Sequence, residues 1–226
     1  MNGLKETDVL YEDNHLLVVN KPAGILSMGD DTGDSTIAEM AARYLKVKYN
    51  KPGNVFVGVV HRLDRPVSGV LVLARTSKAA SRLSNQFRKS VVNKTYTAVV
   101  EGIPKHAEAT LTDYLLKDQR TNTVAVVNEN QSGGKKSILT YAVQHQSNNQ
   151  SVLSVYPETG RSHQIRVQLA NCGHPIVGDT RYGSRAKTGG RIYLHASSIQ
   201  VEHPTQKTQL QFDSKLPDEL QRCLGK

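Results

Sequence analysis

The sequence predicts an α+β protein whose strands pair mostly antiparallel. Three observations carry that expectation. Most apolar segments are short, β-branched runs. From 107 to 156 four such runs, ATLTDYLL, TVAVVNE, SILTYAVQ and VLSVYPE, follow one another with only turns between them. Helical patterns are few, so the strand–helix alternation of a parallel sheet is absent.

The elements follow in order. HLLVVNKPAG (15–24) reads as a strand closed by a Pro-Gly turn. TIAEMAARYLKVKY is a helix with Ile37, Met40, Ala41, Tyr44 and Leu45 on one face, and Thr36 with Glu39 forms its capping box. VFVGVV (55–60) and GVLVLART (69–76) read as buried strands. SKAASRLSNQFRKS (77–90) is a helix with Ala80, Leu83 and Phe87 inward, while Lys78, Arg82, Arg88 and Lys89 lie mostly elsewhere around it. NKTYTAVVEG (93–102) is a further strand, and QSGGKK (131–136) reads as a hairpin loop. SHQIRVQLANCG (162–173) reads as a helix with Ser162 as N-cap, Ile165, Leu169 and Cys172 inward, and Gly173 as its stop. RIYLHASSIQV (191–201), TQLQF (208–212) and a closing helix in PDELQRCL complete the chain. With no low-complexity linker, one domain that can split into two lobes is expected.

The 226 residues are 38% hydrophobic and 22% charged, a globular composition. Lys and Arg number 29 against 20 acids, a net charge of +9, which favours a polyanionic partner: nucleic acid first, an anionic membrane surface second. Cys172 and Cys223 are too few for a disulfide framework or a cysteine metal site. No signal-peptide core and no apolar run of membrane-spanning length is present, so a cytoplasmic protein is expected.

Four stretches carry more chemistry than structure requires. HRLDRPVSG (61–69) places Asp64 on a loop between two buried strands, where a carboxylate can serve as nucleophile or general base, or can cap a turn or pair with Arg62 or Arg65. TGRSHQIRVQLA (159–170) opens a helix with Arg161, Ser162 and His163 and carries Arg166; such a start attracts anions, and Arg161 is well placed for a phosphate. Tyr96 lies inside an apolar strand, as a core residue or a stacking ring. GHPIVGDTRYG (173–183) can approach a nucleic-acid backbone or serve as a tight connector. His61, Asp64, His163, His174 and His195 invite a metal reading, but no HxxxH, HExxH or cysteine cluster supports it. GxxxxGK[ST], GxGxxG and GxSxG are absent, so ATP, NAD and serine-hydrolase chemistry lack their signatures.

Together YEDNHLLVVNKPAGILS, HRLDRPVSGVLVLART, NKTYTAVVEG, TGRSHQIRVQLA, GHPIVGDTRYG and LHASSIQVEHP resemble, in order and spacing from about Val9 to about Phe212, the RluA family of RNA pseudouridine synthases. The resemblance implies the pseudouridine-synthase fold: a long, mixed, mostly antiparallel sheet in two lobes with a central RNA-binding cleft, forming a single catalytic domain over 1–226. It implies isomerisation of uridine to its C-glycoside in structured RNA, a tRNA or rRNA stem-loop, with no cofactor, no metal and no membrane partner; the oligomeric state is open, with a monomer as the default expectation. Asp64 falls on the family's catalytic aspartate, Tyr96 on the tyrosine that stacks on the base, and Arg166 on the basic residue that pairs with the aspartate. Arg62 matches the arginine that fills the place of the extruded nucleotide. His61, Arg161 and His163 are expected to bind substrate, and Ile165 to wall the base while it turns. Attack at C6 of uracil, attack at C1′ of the ribose, and a glycal route all fit these residues. Val67 departs from the threonine the family often has. No N-terminal S4-type RNA-binding domain is expected, so recognition falls to the catalytic domain's basic face. A non-catalytic RNA-binding protein on the same fold is the competing expectation; a carboxylate in an RNA groove speaks against it.

Overall fold

Short apolar runs separated by Gly, Asn and Asp turns give, among the described residues, strands β1 (Val9–Glu12), β2 (Leu16–Lys21), β3 (Gly58–Val59), β4 (Ser68–Ala74), β5 (Asn93–Glu101), β6 (Glu108–Asp118), β7 (Thr123–Val127), β8 (Lys135–Ser147), β9 (Gln150–Pro157), β10 (Leu194–Glu202) and β11 (Gln209–Asp213). The helices are α1 (Ile37–Lys48), α2 (Ser77–Arg88), α3 (Gln164–Asn171) and α4 (Asp218–Arg222). The computed structural model describes residues 4–30 and 32–225. Met1–Gly3, Asp31 and Lys226, which the single-domain expectation over 1–226 includes, lie outside the described residues. The fold is α+β, and the pairs β1·β2, β2·β4, β3·β4, β5·β9, β6·β7, β6·β8, β8·β9 and β10·β11 are antiparallel.

The chain divides into two compact units, Met1–Asn93 with Ala196–Lys215, and Lys94–His195 with Leu216–Lys226. In the first, the strand order is β1-β2-β4-β10, with β11 on β10 and β3 on β4. Asp13 turns the β1–β2 hairpin by accepting the N–H groups of His15 and Leu16, each at 2.7 Å. On one face of β2 and β4, Leu16, Val18, Val70 and Val72 pack with Ala79 and Leu83 of α2, Val92, Ile199 and Phe212. Leu17, Val19, Leu71 and Leu73 on the other face are also fully buried, so these two strands are covered on both sides. Gly69 is obligatory in this arrangement: its φ is +116°, and a Cβ would stand 2.2 Å from Ala196 O on β10.

Both predicted helix starts of this unit are present. Glu39 N–H donates to Thr36 Oγ1 at 3.1 Å, and Thr36 N–H donates to the Glu39 carboxylate at 3.0 Å. Thr76 caps α2 through Ala79 N–H. The expectation of a strand over 55–60 is corrected: only Gly58–Val59 pairs, and Phe56 is half exposed. The run has strand composition, but the chain offers β4 only two residues to pair there.

In the second unit the order is β5-β9-β8-β6-β7. Asn148 and Asn149, both at positive φ, make the β8–β9 turn. QSGGKK does not close a hairpin, contrary to expectation: β6 lies between β7 and β8, pairing Leu115 with Val126 on one side and Leu111 with Leu139 on the other. The eleven residues of β6 make it the spine of this region. One apolar cluster joins Val99, Val152, Val177 and Leu220, which seats α4; another joins Leu115, Val124 and Val167, which seats α3. Among the described residues no helix is long and apolar enough to cross a membrane.

Candidate active site

The loop that follows β3 carries Asp64, and the segment after β2 grips it. Leu63 is buried; its N–H donates to Ser27 Oγ at 3.0 Å, and Ser27 Oγ donates back to Leu63 O at 2.7 Å. Gly24 N–H donates to Arg65 O at 2.7 Å, and Arg65 Nε donates to Gly24 O at 3.0 Å. A fifth bond, at 3.4 Å, runs from Lys21 Nζ to Arg65 O. Lys21 is completely buried, and the same ammonium donates to Pro22 O at 3.0 Å and Ile25 O at 2.8 Å. Burial pushes its pKa down to about 7, against the opposing pull of the Asp64 charge.

Within this loop Leu63 and Val67 point into the core and Val67 N–H donates to Asp64 O at 3.0 Å, closing the turn. Val67 is therefore a packing residue, which accounts for an apolar side chain there. Asp64 is half-buried between them, and Arg62 is exposed. Arg65 commits its guanidinium to Gly24 O and, at 2.7 Å, to Asp34. His61, expected to bind substrate, is engaged with the fold: its Nε2 accepts Val72 N–H at 2.9 Å, and its ring stacks on Phe87 at 4.5 Å.

The second unit presents Tyr96 half-buried on β5, opposite Val155 of β9. The segment leading into α3 departs from the sequence expectation in two ways. Ser162 is not the cap; the N-cap is His163, in the left-handed conformation with φ 51°. Capping falls to Gln164, whose Oε1 accepts from Arg161 N at 3.0 Å and Thr159 Oγ1 at 2.7 Å. Cys172 is exposed rather than inward. Positions 164 to 169 are all buried, so α3 has no polar face from which periodicity could be read.

Arg166 lies in this helix, only 5% exposed, and meets Asp179 in a bidentate ion pair, Nε to Oδ2 at 2.7 Å and Nη2 to Oδ1 at 2.9 Å. Its guanidinium also stands 5.1 Å over the Tyr182 ring. Tyr182 is fixed by Val124 N–H at 3.0 Å and shares a 2.7 Å hydrogen bond with His163 Nδ1. Burial raises the Tyr182 pKa and so keeps the phenol protonated. GHPIVGDTRYG is thus the loop that orients Arg166, and Asp179 and Tyr182 are its working residues. Their signal in the sequence was a lone acid in a basic stretch next to a helix bearing a buried arginine. Ile165 is buried, while Arg161 is exposed with its Nε on Lys136 O at 3.3 Å.

Among the described residues no three His, Cys, Asp or Glu side chains are grouped to hold a metal ion. The arrangement offers a carboxylate on a tightly held loop in one unit. In the other it offers a half-buried phenol and a guanidinium locked in one orientation.

Known proteins resemble the chain along most of its length. It is 36% identical over 202 residues to the uncharacterized RNA pseudouridine synthase YhcT of Bacillus subtilis, covering 88% of this chain and 65% of that protein. It is 35% identical over 223 residues to ribosomal large subunit pseudouridine synthase C of Vibrio parahaemolyticus, covering 96% and 68%. The chain therefore spans about two thirds of the length of these relatives. Among solved structures, human RNA pseudouridylate synthase domain containing 1 superposes with a TM-score of 0.76 at 27% identity, covering 96% of this chain and 86% of that one. The human domain-containing 4 protein reaches a TM-score of 0.80 at 22% identity, covering 97% and 92%, a likeness of fold. The sequence profile described as RNA pseudouridylate synthase matches residues 15–171, and on that match the chain belongs to the RNA pseudouridylate synthase family, isomerases that act on RNA.

Proposed function

We propose that this chain converts specific uridines to pseudouridine in structured RNA, with ribosomal RNA the first substrate class and tRNA the second. The observation that carries the reading is the clamped HRLD loop: five hydrogen bonds and a fully buried lysine fix the backbone on both sides of one half-buried carboxylate. Such rigidity suits a group that must meet a reacting carbon at a set distance. The reaction breaks the N1–C1′ bond, joins C1′ to C5 and moves one proton from C5 to N1, so the product keeps the formula of the substrate.

Asp64 is the catalytic carboxylate in this proposal, and Tyr96 supplies the ring on which the base stacks. Arg166, held by Asp179, supplies the fixed positive charge. Exposed Arg62 fills the space of the extruded nucleotide, offsetting part of an unstacking cost of roughly a few kcal/mol. Arg161 and His163 contact the substrate near the start of α3, and Ile165 adds apolar wall. His61 supports the loop from behind through Val72 and Phe87.

The test is incubation of purified protein with total rRNA and tRNA, followed by chemical mapping of pseudouridine, beside an Asp64→Asn control. New sites with the wild type alone are expected, with RNA binding retained in the variant. Turnover by Asp64→Asn would remove the assigned carboxylate. Tight RNA binding with no product from the wild type would leave a binding protein.

A further inference from the structure

Lys94 is a half-buried cation that the roles above do not use. It is the second residue of β5, two before Tyr96, and at the period of a strand the two side chains share a face. The Lys94 side chain is half-buried, and its ammonium has no carboxylate partner among the described residues: burial alone shifts its pKa, downward. Among the described residues its one hydrogen bond, to Thr159 O, is stretched to 3.5 Å. An ammonium so placed is costly unless something pairs with it.

The space beside it is open and its floor is rigid. A Cβ built on Gly160 would meet only Lys94 Nζ within 4 Å, at 3.9 Å. The floor is the Thr159–Gln164 turn, pinned to β8 where Ile138 N–H donates to Thr159 Oγ1 and Gln164 Nε2 donates to Ile138 O, both at 3.0 Å. Gln164 Oε1 closes the turn from within, as described for α3. Next to Gly160 in the chain, Arg161 is exposed and bonded to the backbone of Lys136, itself exposed together with Lys135.

We infer that Lys94 and Arg161 form a phosphate subsite over Gly160 that seats one phosphate of the RNA chain, making Lys94 a substrate-binding residue. The inference rests on the RNA-modifying reading above. A phosphodiester there satisfies the ammonium that the fold leaves unpaired, and a glycine lets an oxygen approach where any side chain would intrude.

The experiment is equilibrium binding of a synthetic uridine-containing RNA stem-loop across a salt titration, with unfolding temperatures measured in parallel. Removing one phosphate contact lowers the slope of log affinity against log salt by about 0.7–0.9, and Lys94→Met is expected to do so while Lys94→Arg retains the slope. Gly160→Ala is the control on folding. Its β-carbon makes only ordinary contact and the backbone there is not left-handed, so stability is expected to hold while RNA binding weakens. An unchanged slope in Lys94→Met, or unchanged affinity in Gly160→Ala, overturns the subsite. Wild-type binding without pseudouridine formation would overturn the enzymatic reading instead, and the slopes would still report on the phosphate.

Discussion

Replacing Lys21 with Met separates what the buried ammonium does for stability from what it does for the Asp64 loop. Its pKa in the fold, about 7, lies below the ordinary 10.5. Between those pH values the unfolded chain binds the extra proton, so stability rises with pH across that window. Below it the charged side chain carries a burial penalty on the order of 5 kcal/mol. The Met variant escapes that penalty but leaves Pro22 O and Ile25 O without their donor, while Arg65 O keeps Gly24 N–H. Two part-buried carbonyls stripped of their donor cost up to about 2–6 kcal/mol together. At about pH 6 the two effects nearly cancel; by about pH 9 all but about 2 kcal/mol of the penalty is gone and the lost bonds outweigh what remains. Urea unfolding is therefore expected to give similar stabilities at the lower pH and a less stable variant at the higher one. Turnover is expected to fall at both, by about 100-fold if the loop shifts by about 1 Å. Stability differences that stay constant across pH would refute a titrating Lys21. Wild-type turnover by the folded variant would refute the positioning.

Two further substitutions probe the frame around the site. Asp179→Asn removes the carboxylate charge from the bidentate pair that holds buried Arg166, so a loss of up to about 3–5 kcal/mol is expected by urea unfolding; an unchanged midpoint would mean that the pair does not hold Arg166. Gly69→Ala forces a β-carbon to 2.2 Å from Ala196 O at φ +116°, whereas Gly24→Ala, at φ +90°, meets nothing within 4 Å. The first is expected to abolish soluble expression and the second to cost about 1–2 kcal/mol, and equal effects would show that the β4–β10 approach is less close than described.

The parts of the fold that could be read in the sequence are those where local chemistry and packing agree. Thr36 and Glu39 announced α1, and its apolar face is the face that is buried. The run around β4 announced a strand because a short apolar run with valines on one face and leucines on the other, bounded by turn residues, has few other uses. The failures arise where long-range pairing decides. Nothing in QSGGKK records that β6 will stand between β7 and β8, because the connection is short either way. In α3 the polar residues are consumed internally: Gln164 caps the turn, Arg166 meets Asp179, and Gln168 Nε2 donates to Asp113 at 2.7 Å. A helix buried on all sides gives no periodic signal, so a cap at Ser162 and an inward Cys172 were the natural errors.

The site divides along the same line. Asp64, Tyr96, Arg166 and Arg62, the residues proposed for it, stand out in the sequence because motifs carry them, and a motif needs no geometry. Lys21 and Lys94 do not, although each stands at the end of a strand, because a lysine there reads as solvated. What distinguishes them is what surrounds the ammonium. Lys21 Nζ is enclosed by three carbonyls and cannot reach a ligand, so its effect is exerted on the loop it ties. Lys94 Nζ has a single long bond and open space over Gly160, so its charge faces outward from a rigid floor. The same residue type thus serves as a fastener in one unit and as an anion receptor in the other, and only the count of local acceptors tells them apart.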